Sequence, residues 1–178
     1  KKEFFENLSE DFENIFTVNN SDYKTTGSFG SFLKLKDYIN NSFLLLESDI
    51  LYDIKILEEL INDERDNVIS TSDYTYSGDE VYVEDNESLL VKMSKDKSQF
   101  NKEASEFIGI CKISISLFHF LTTKYQSNKL NEYEEMLVCA SKENEIYVKK
   151  LIDVNWCEID TTEHLNRAKN KIYPLLKE

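Results

Sequence analysis

A chain of 178 residues with 34 acidic against 21 basic side chains and a net charge of -13 has the length for one domain with a proper core. It lacks the clustered Lys and Arg that phosphate backbones require, which argues against nucleic acid as a partner. No apolar stretch approaches membrane-spanning length and no basic-then-apolar leader opens the chain, so it reads as cytoplasmic and without a membrane partner.

Lys1-Lys2-Glu3-Phe4-Phe5 starts as if inside an amphipathic helix, with neither Met nor N-cap before it, so the chain looks truncated. A helix over about residues 1–9 places Phe4, Phe5 and Leu8 on one face, and Asn14 to Val18 is a short strand candidate. The run from Asn19 to Ser31 is a loop of small polar residues feeding a helix with Phe29, Phe32, Leu33 and Leu35 inward. Such a loop can offer backbone N–H groups to an anion or a base. It also fits a plain connection with an N-cap at Thr26 or Ser28.

Phe43-Leu44-Leu45-Leu46-Glu47-Ser48-Asp49 reads as a fully buried parallel strand whose carboxyl end opens into a crevice. Asp49 at that tip is a hard oxygen ligand of the kind Mg²⁺ takes beside substrate phosphates. Asp53 sits where an N-cap belongs, ahead of a helix with Ile54, Leu57 and Ile61 inward. Asn67 to Ser72 is the next strand, and residues 79–84 and 88–93 form a hairpin across Asp85-Asn86-Glu87.

Phe107 to Ile113 is another buried strand, followed by a helix from Ser114 to about Tyr125, in which His119 reads as structural. A further helix, about Glu132 to Ser141, carries Glu134-Glu135 as a solvated pair. A short strand ends at Asp160, and Leu165, Ala168 and Ile172 mark the inner face of the helix after it. Asp160 and Glu163 fit an N-cap and its box partner. Cys111, Cys139 and Cys157 form no C-x-x-C pair, so neither a disulfide frame nor a zinc site is indicated.

Strands alternating with helices predict an α/β fold with a largely parallel sheet and some antiparallel pairing at the hairpin. If Asp49 and Asp160 end neighbouring strands, their carboxylates converge. Two charges about 4 Å apart repel by about 4 kcal/mol at an effective dielectric near 20, which calls for a shared proton or a cation.

Phe43 to Asp49, and Trp156-Cys157-Glu158-Ile159-Asp160 with Leu165 and Ala168 after it, resemble the two metal-binding motifs of the nucleotidyltransferases that activate sugar phosphates and phosphoalcohols. Within that superfamily the chain is most similar to cytidylyltransferases acting on phosphocholine or 2-aminoethylphosphonate. The opening Lys-Lys-Glu-Phe-Phe-Glu, the Asn19 to Ser31 loop, Ser94-Lys95-Asp96, Glu106 to Ile110 and Tyr133-Glu134-Glu135 fall in the order of that branch.

The resemblance implies a Rossmann-like three-layer fold with a mostly parallel mixed sheet, residues 1–178 being the C-terminal portion of a single such domain. It implies transfer of CMP from CTP with loss of pyrophosphate, and Mg²⁺ on Asp49 and Asp160 with Glu158. Thr25, Thr26, Gly27 and Ser28 would meet the nucleotide. Lys95 would meet the acceptor's anionic end, and Trp156, Glu134 and Tyr133 would receive its amine or quaternary ammonium. The family's glycine-rich phosphate loop, of the form Gly-x-Gly-(Thr/Ser)-Arg, does not occur in these residues, so the first strand and loop are expected to precede Lys1. A sugar-1-phosphate nucleotidyltransferase and a non-catalytic binding domain are the competing readings, and self-association is left open.

Overall fold

The computed structural model describes residues 3, 5–7, 12–100, 103–125 and 132–177. Helical backbone is present at residues 5–7, whereas Phe4 and Leu8 lie outside the described residues. Residues 14–18 form no strand. Phe16 is exposed and stacks on Tyr38, and with no neighbouring strand beside it among the described residues this apolar run has no ladder to join.

The expected loop through Ser31 is mostly helix α1 (Tyr23–Leu33). The small polar residues serve its first turn: the Thr25 and Thr26 hydroxyls donate to the Asp22 carbonyl at 3.0 and 3.1 Å, and Asn20 Nδ2 donates to Thr26 Oγ1 at 2.9 Å. Gly27, at φ 57 and ψ -164, breaks the helix. That break, open to glycine without a Cβ penalty, turns the second half so that Phe29 and Phe32 enter the core.

Next come β1 (Phe43–Leu46), β2 (Ile50–Tyr52), α2 (Ile54–Ile61), β3 (Val68–Ser72), and the hairpin β4 (Tyr82–Asn86) and β5 (Leu89–Ser94). The second half holds β6 (Ser105–Ile113), α3 (Ile115–Lys124), α4 (Tyr133–Ala140), β7 (Tyr147–Lys150), β8 (Trp156–Glu158) and α5 (Thr162–Arg167). The main sheet runs β1-β6-β3-β7-β5-β4, with β4 also pairing the start of β6, and β2 with β8 forms a separate ribbon.

The sheet is mixed, as expected, but its pairings are mostly antiparallel. Among the described residues only β3 and β7 pair in parallel. Strands β1, β3 and β7 do share one direction, and β6 is inserted between β1 and β3. A helix between two strands reports their relative direction, and it leaves open which strand slips between them.

Helices cover both faces. Phe29, Phe32, Phe118, Leu121 and Met136 of α1, α3 and α4 pack on one side, and Ile56 and Leu60 of α2 pack with Val68, Ile108, Ile110 and Trp156 on the other. Helix α2 therefore faces inward with Ile56 and Leu60, while Ile54 and Ile61 are exposed at 62% and 61%. Both sets are apolar at helical spacing, and the Asp53 cap, whose carboxylate accepts Lys55 N–H at 2.9 Å, fixes where the helix starts. The helix expected from Ser114 begins one residue later, with Ser114 as its cap through Leu117 N–H at 3.1 Å, and His119 lies on its exposed side.

Candidate functional site

The apolar run expected to be one buried parallel strand ending at Asp49 is two short strands in two different sheets. Strand β1 is half-buried and antiparallel to β6. One further bond, Glu47 N–H to the Gly109 carbonyl at 3.0 Å, carries the ladder past Leu46. Ser48 and Asp49 then turn the chain into β2, which pairs with β8. Asp49 is thus held in a turn, its carbonyl accepting Ile159 N–H at 2.8 Å.

That pairing gathers carboxylates from distant parts of the chain. Oxygens of Glu47, Asp49 and Glu158 lie within 4.8 Å of one another, and so do those of Asp79, Glu158 and Asp160. Asp49 and Asp160 are brought to one site, as expected of neighbouring strand ends, but they fall in separate groups joined by Glu158. Burial, then Asp160, Glu47, Asp49 and Asp79, push the Glu158 carboxyl up to about 7. Burial also raises Glu47, against the hydrogen bond from the Tyr133 phenol.

Asp160 does not cap the last helix. Thr161 does, its hydroxyl accepting His164 N–H at 3.1 Å, because the extended backbone that an N-cap needs (φ -122, ψ 167) falls at Thr161 and leaves Asp160 one residue outside. The Asp160 carboxylate is free to face the cluster.

A cleft of about 520 Å³ adjoins these groups, lined by Glu47, Asp49, Glu132, Tyr133, Glu134 and Glu158 with apolar walls from Phe32, Leu35 and Leu45. Tyr133 is buried and donates to Glu47 Oε1 at 2.6 Å. Glu134 is no solvated helix residue: burial foremost, with Glu47 and Glu132 nearby, raises its carboxyl to about 7, and its Oε2 is buried without a hydrogen-bond partner among the described residues. Ser28 Oγ accepts Tyr133 N–H at 2.9 Å and donates to Glu132 at 2.7 Å, so it caps the start of α4 across the cleft. With Thr25 and Thr26 bonded to their own backbone, these hydroxyls form no open phosphate cradle.

Lys95 is exposed and pairs with Asp79 at 2.8 Å. Burial alone would lower its ammonium, but Asp79, Glu158 and Glu134 outweigh that and raise it. Trp156 stands apart from Tyr133 and Glu134: it is buried, its indole N–H donates to Ser72 Oγ at 2.8 Å, and it lines a different hollow with Asp153 and Arg167.

No family model matches the chain. Among solved structures, an inositol-1-phosphate CTP transferase from T. maritima superposes with a TM-score of 0.76 at 19% identity, covering 97% of this chain and 70% of that one. A Bacillus anthracis protein provisionally assigned as a glucose-1-phosphate thymidylyltransferase, solved with sucrose, gives 0.73 at 15%, over 98% and 70%. The CTP:phosphocholine cytidylyltransferase from Streptococcus pneumoniae gives 0.68 at 17%, over 94% and 73%. The chain has the nucleotidyltransferase fold.

Within the nucleotidyltransferase fold two residues of this site escaped the sequence. Glu47 stood two places before Asp49 in an extended run, where i and i+2 share a face, so its pairing with Asp49 was legible. Asp79 had no local signal, because only the tertiary return of its loop brings it to Glu158. No helix among the described residues is long and apolar enough to cross a membrane.

Proposed function

We propose that the protein is a divalent-metal-dependent nucleotidyltransferase that moves CMP from CTP to a small amine-bearing phosphoalcohol or phosphonate, phosphocholine or 2-aminoethylphosphonate, and releases pyrophosphate. The observation that carries this reading is the convergence of two carboxylate groups on Glu158. An all-carboxylate donor set suits a hard cation such as Mg²⁺. Carboxylates packed this closely repel one another until a cation neutralises them.

Asp49, Glu158 and Asp160 are the assigned ligands, with Glu47 and Asp79 completing the two groups. Bound there, the cation supplies charge neutralisation to phosphoryl oxygens. The chain's own residues position the partners: Tyr133 orients Glu47 through its phenol, and Lys95 at Asp79 presents an ammonium to the acceptor's anionic end. An acceptor oxygen then bonds to the α-phosphorus of CTP as the bond to the bridging oxygen of the leaving pyrophosphate breaks, and orientation carries much of the acceleration. No lysine or arginine lines the cleft among the described residues, so the triphosphate needs basic groups from elsewhere.

The test is pyrophosphate release from CTP, Mg²⁺ and either acceptor, by the 178-residue chain and by the protein with any sequence its gene encodes before Lys1. Release that vanishes in Asp49→Ala and Asp160→Ala supports the reading; no release from the longer protein with either acceptor overturns it. The B. anthracis neighbour favours a second reading, a sugar-1-phosphate nucleotidyltransferase, which stabilisation by UTP or dTTP but not CTP would select.

A further inference from the structure

Asp79 reaches the carboxylate cluster on a loop, and that loop is gripped at one residue. Residues 73–81 leave β3 at Ser72 and enter β4 at Tyr82, and both of those residues pair with Glu106, from the two neighbouring strands of β6. The loop therefore arches over the start of β6. The Glu106 carboxylate, in a side chain only 2% exposed, accepts the Thr75 hydroxyl at 2.8 Å and the Thr75 N–H. From a different element, Arg167 Nη2 donates to the Thr75 carbonyl at 2.9 Å. Every polar group of Thr75 is thus taken by a side chain from elsewhere in the fold.

This grip is more than plain packing. Tyr76, the next residue, stands at φ 55, a left-handed conformation that a bulky residue keeps only where its surroundings impose it. Its own ring is 83% exposed and supplies little of that constraint. Burial raises the Glu106 carboxyl, against the two Thr75 bonds that favour its charge. A glutamine there would turn an NH₂ group toward one of the two donors. Arg167 enters no ion pair among the described residues, so its guanidinium is committed to a neutral carbonyl.

Both ends of this clasp lead to the same carboxylates. Arg167 closes α5, which starts just after Asp160, and β8 before it carries Glu158. Thr75 stands four residues before Asp79. The Arg167 bond therefore ties the arm bearing Glu158 and Asp160 to the loop bearing Asp79, and those three form one carboxylate group. The other group, Glu47, Asp49 and Glu158, has no residue on that loop. We propose that Glu106 and Arg167 are positioning residues which, through Thr75, set Asp79 in the Asp79–Glu158–Asp160 group and leave the Asp49 group unmoved. The cation assigned to that group rests on the reading proposed above; the clasp does not.

The test is calorimetric titration of the longer protein with Mn²⁺, without nucleotide or acceptor. Arg167→Met and Glu106→Gln should each weaken Mn²⁺ binding at least five-fold. In an Asp79→Asn background the same changes should alter it less than two-fold, because no Asp79 carboxylate is left to place. Hydrogen exchange at the Thr75 amide, measured without metal, should quicken at least ten-fold in Glu106→Gln while the α3 amides keep their rates. Equal weakening in the two backgrounds, or faster exchange spread over α3, is general loosening and overturns the proposal. So does Mn²⁺ binding that ignores Arg167→Met and Glu106→Gln, an unchanged Thr75 amide, or an Asp79→Asn protein that binds no Mn²⁺. A parent protein that binds no Mn²⁺ overturns the proposal and the metal reading together. The expected pattern in a protein that releases no pyrophosphate from CTP leaves the clasp standing and removes only the nucleotidyl-transfer reading.

Discussion

Replacing Gly109 by alanine should damage the fold and the carboxylate cluster together. Gly109 lies in the middle of β6 at φ +87, where the β3–β6 register shifts between Ile69 and Thr71. A Cβ built there collides with the Glu47 carboxylate, and the Glu47 Cδ would lie at 3.0 Å and its Cβ at 3.3 Å. The left-handed backbone costs an L-residue about 1–2 kcal/mol, and forcing a side chain into filled space about 1–3 kcal/mol. A loss of about 3 kcal/mol corresponds to a Tm lower by about 6–12 °C for a chain of this size. Thermal unfolding by circular dichroism reads the loss, and calorimetric titration with Mg²⁺ or Mn²⁺ reads the displacement of Glu47. A double variant with Glu47→Ala removes the carboxylate collision but keeps the backbone strain, so it should recover about half of the lost stability and none of the metal affinity. A Gly109→Ala protein within about 2 °C of the parent would refute both the strain and the contact.

Glu158 belongs to both carboxylate groups, so Glu158→Gln should lower divalent-metal affinity more than Asp49→Asn or Asp160→Asn does; calorimetric titration that ranks it last would separate the two groups. The Glu134 carboxyl rises from 4.5 to about 7 on folding, so the folded state holds the extra proton between those values. Its contribution is full below about pH 4.5 and is lost as pH rises through about 7. Partial exposure screens the effect to about 1–2 kcal/mol, and chemical denaturation across pH 4.5–7.5 should show a flatter profile in Glu134→Gln. Ser28→Ala removes the cap on α4 and should cost about 1 kcal/mol; because Tyr133 N–H starts the helix whose phenol holds Glu47, metal affinity measured by titration should fall with it.

Most of the elements were legible because their signals are local. The Asp53 cap, the start of α3 near Ser114, the β4–β5 hairpin and the buried run of β6 each rest on spacing within a few residues. Three misreadings share one cause. Residues 14–18, the inner face of α2 and the parallel sense of β1 each depend on which neighbour the rest of the fold supplies, and no periodicity in one segment names its neighbour. The Asn19 to Ser31 run failed differently: its Ser, Thr and Asn residues compete for backbone groups, and here their hydroxyls close onto Asp22 to start a helix where a loop was equally compatible.

The candidate site follows the same division. Asp49 and Asp160 stood out as strand-end carboxylates, and the β2–β8 ribbon does bring both to Glu158. Glu158 itself looked like a minor member, although in the fold it is the carboxylate the two groups share, and burial together with the neighbouring carboxylates raises it to about 7. A cluster linked through a single residue behaves differently from two independent ligands: a cation at either group displaces the shared Glu158 proton and occupies the carboxylate that the second group also needs. Metal binding near pH 7 should therefore release a proton, and the affinity should climb steeply between about pH 6 and 8 as Glu158 ionises. Calorimetric titration in two buffers of different ionisation enthalpy measures that proton directly; a release of zero at pH 6.5 would mean that Glu158 is already ionised and that the crowding of carboxylates around it is relieved in some other way.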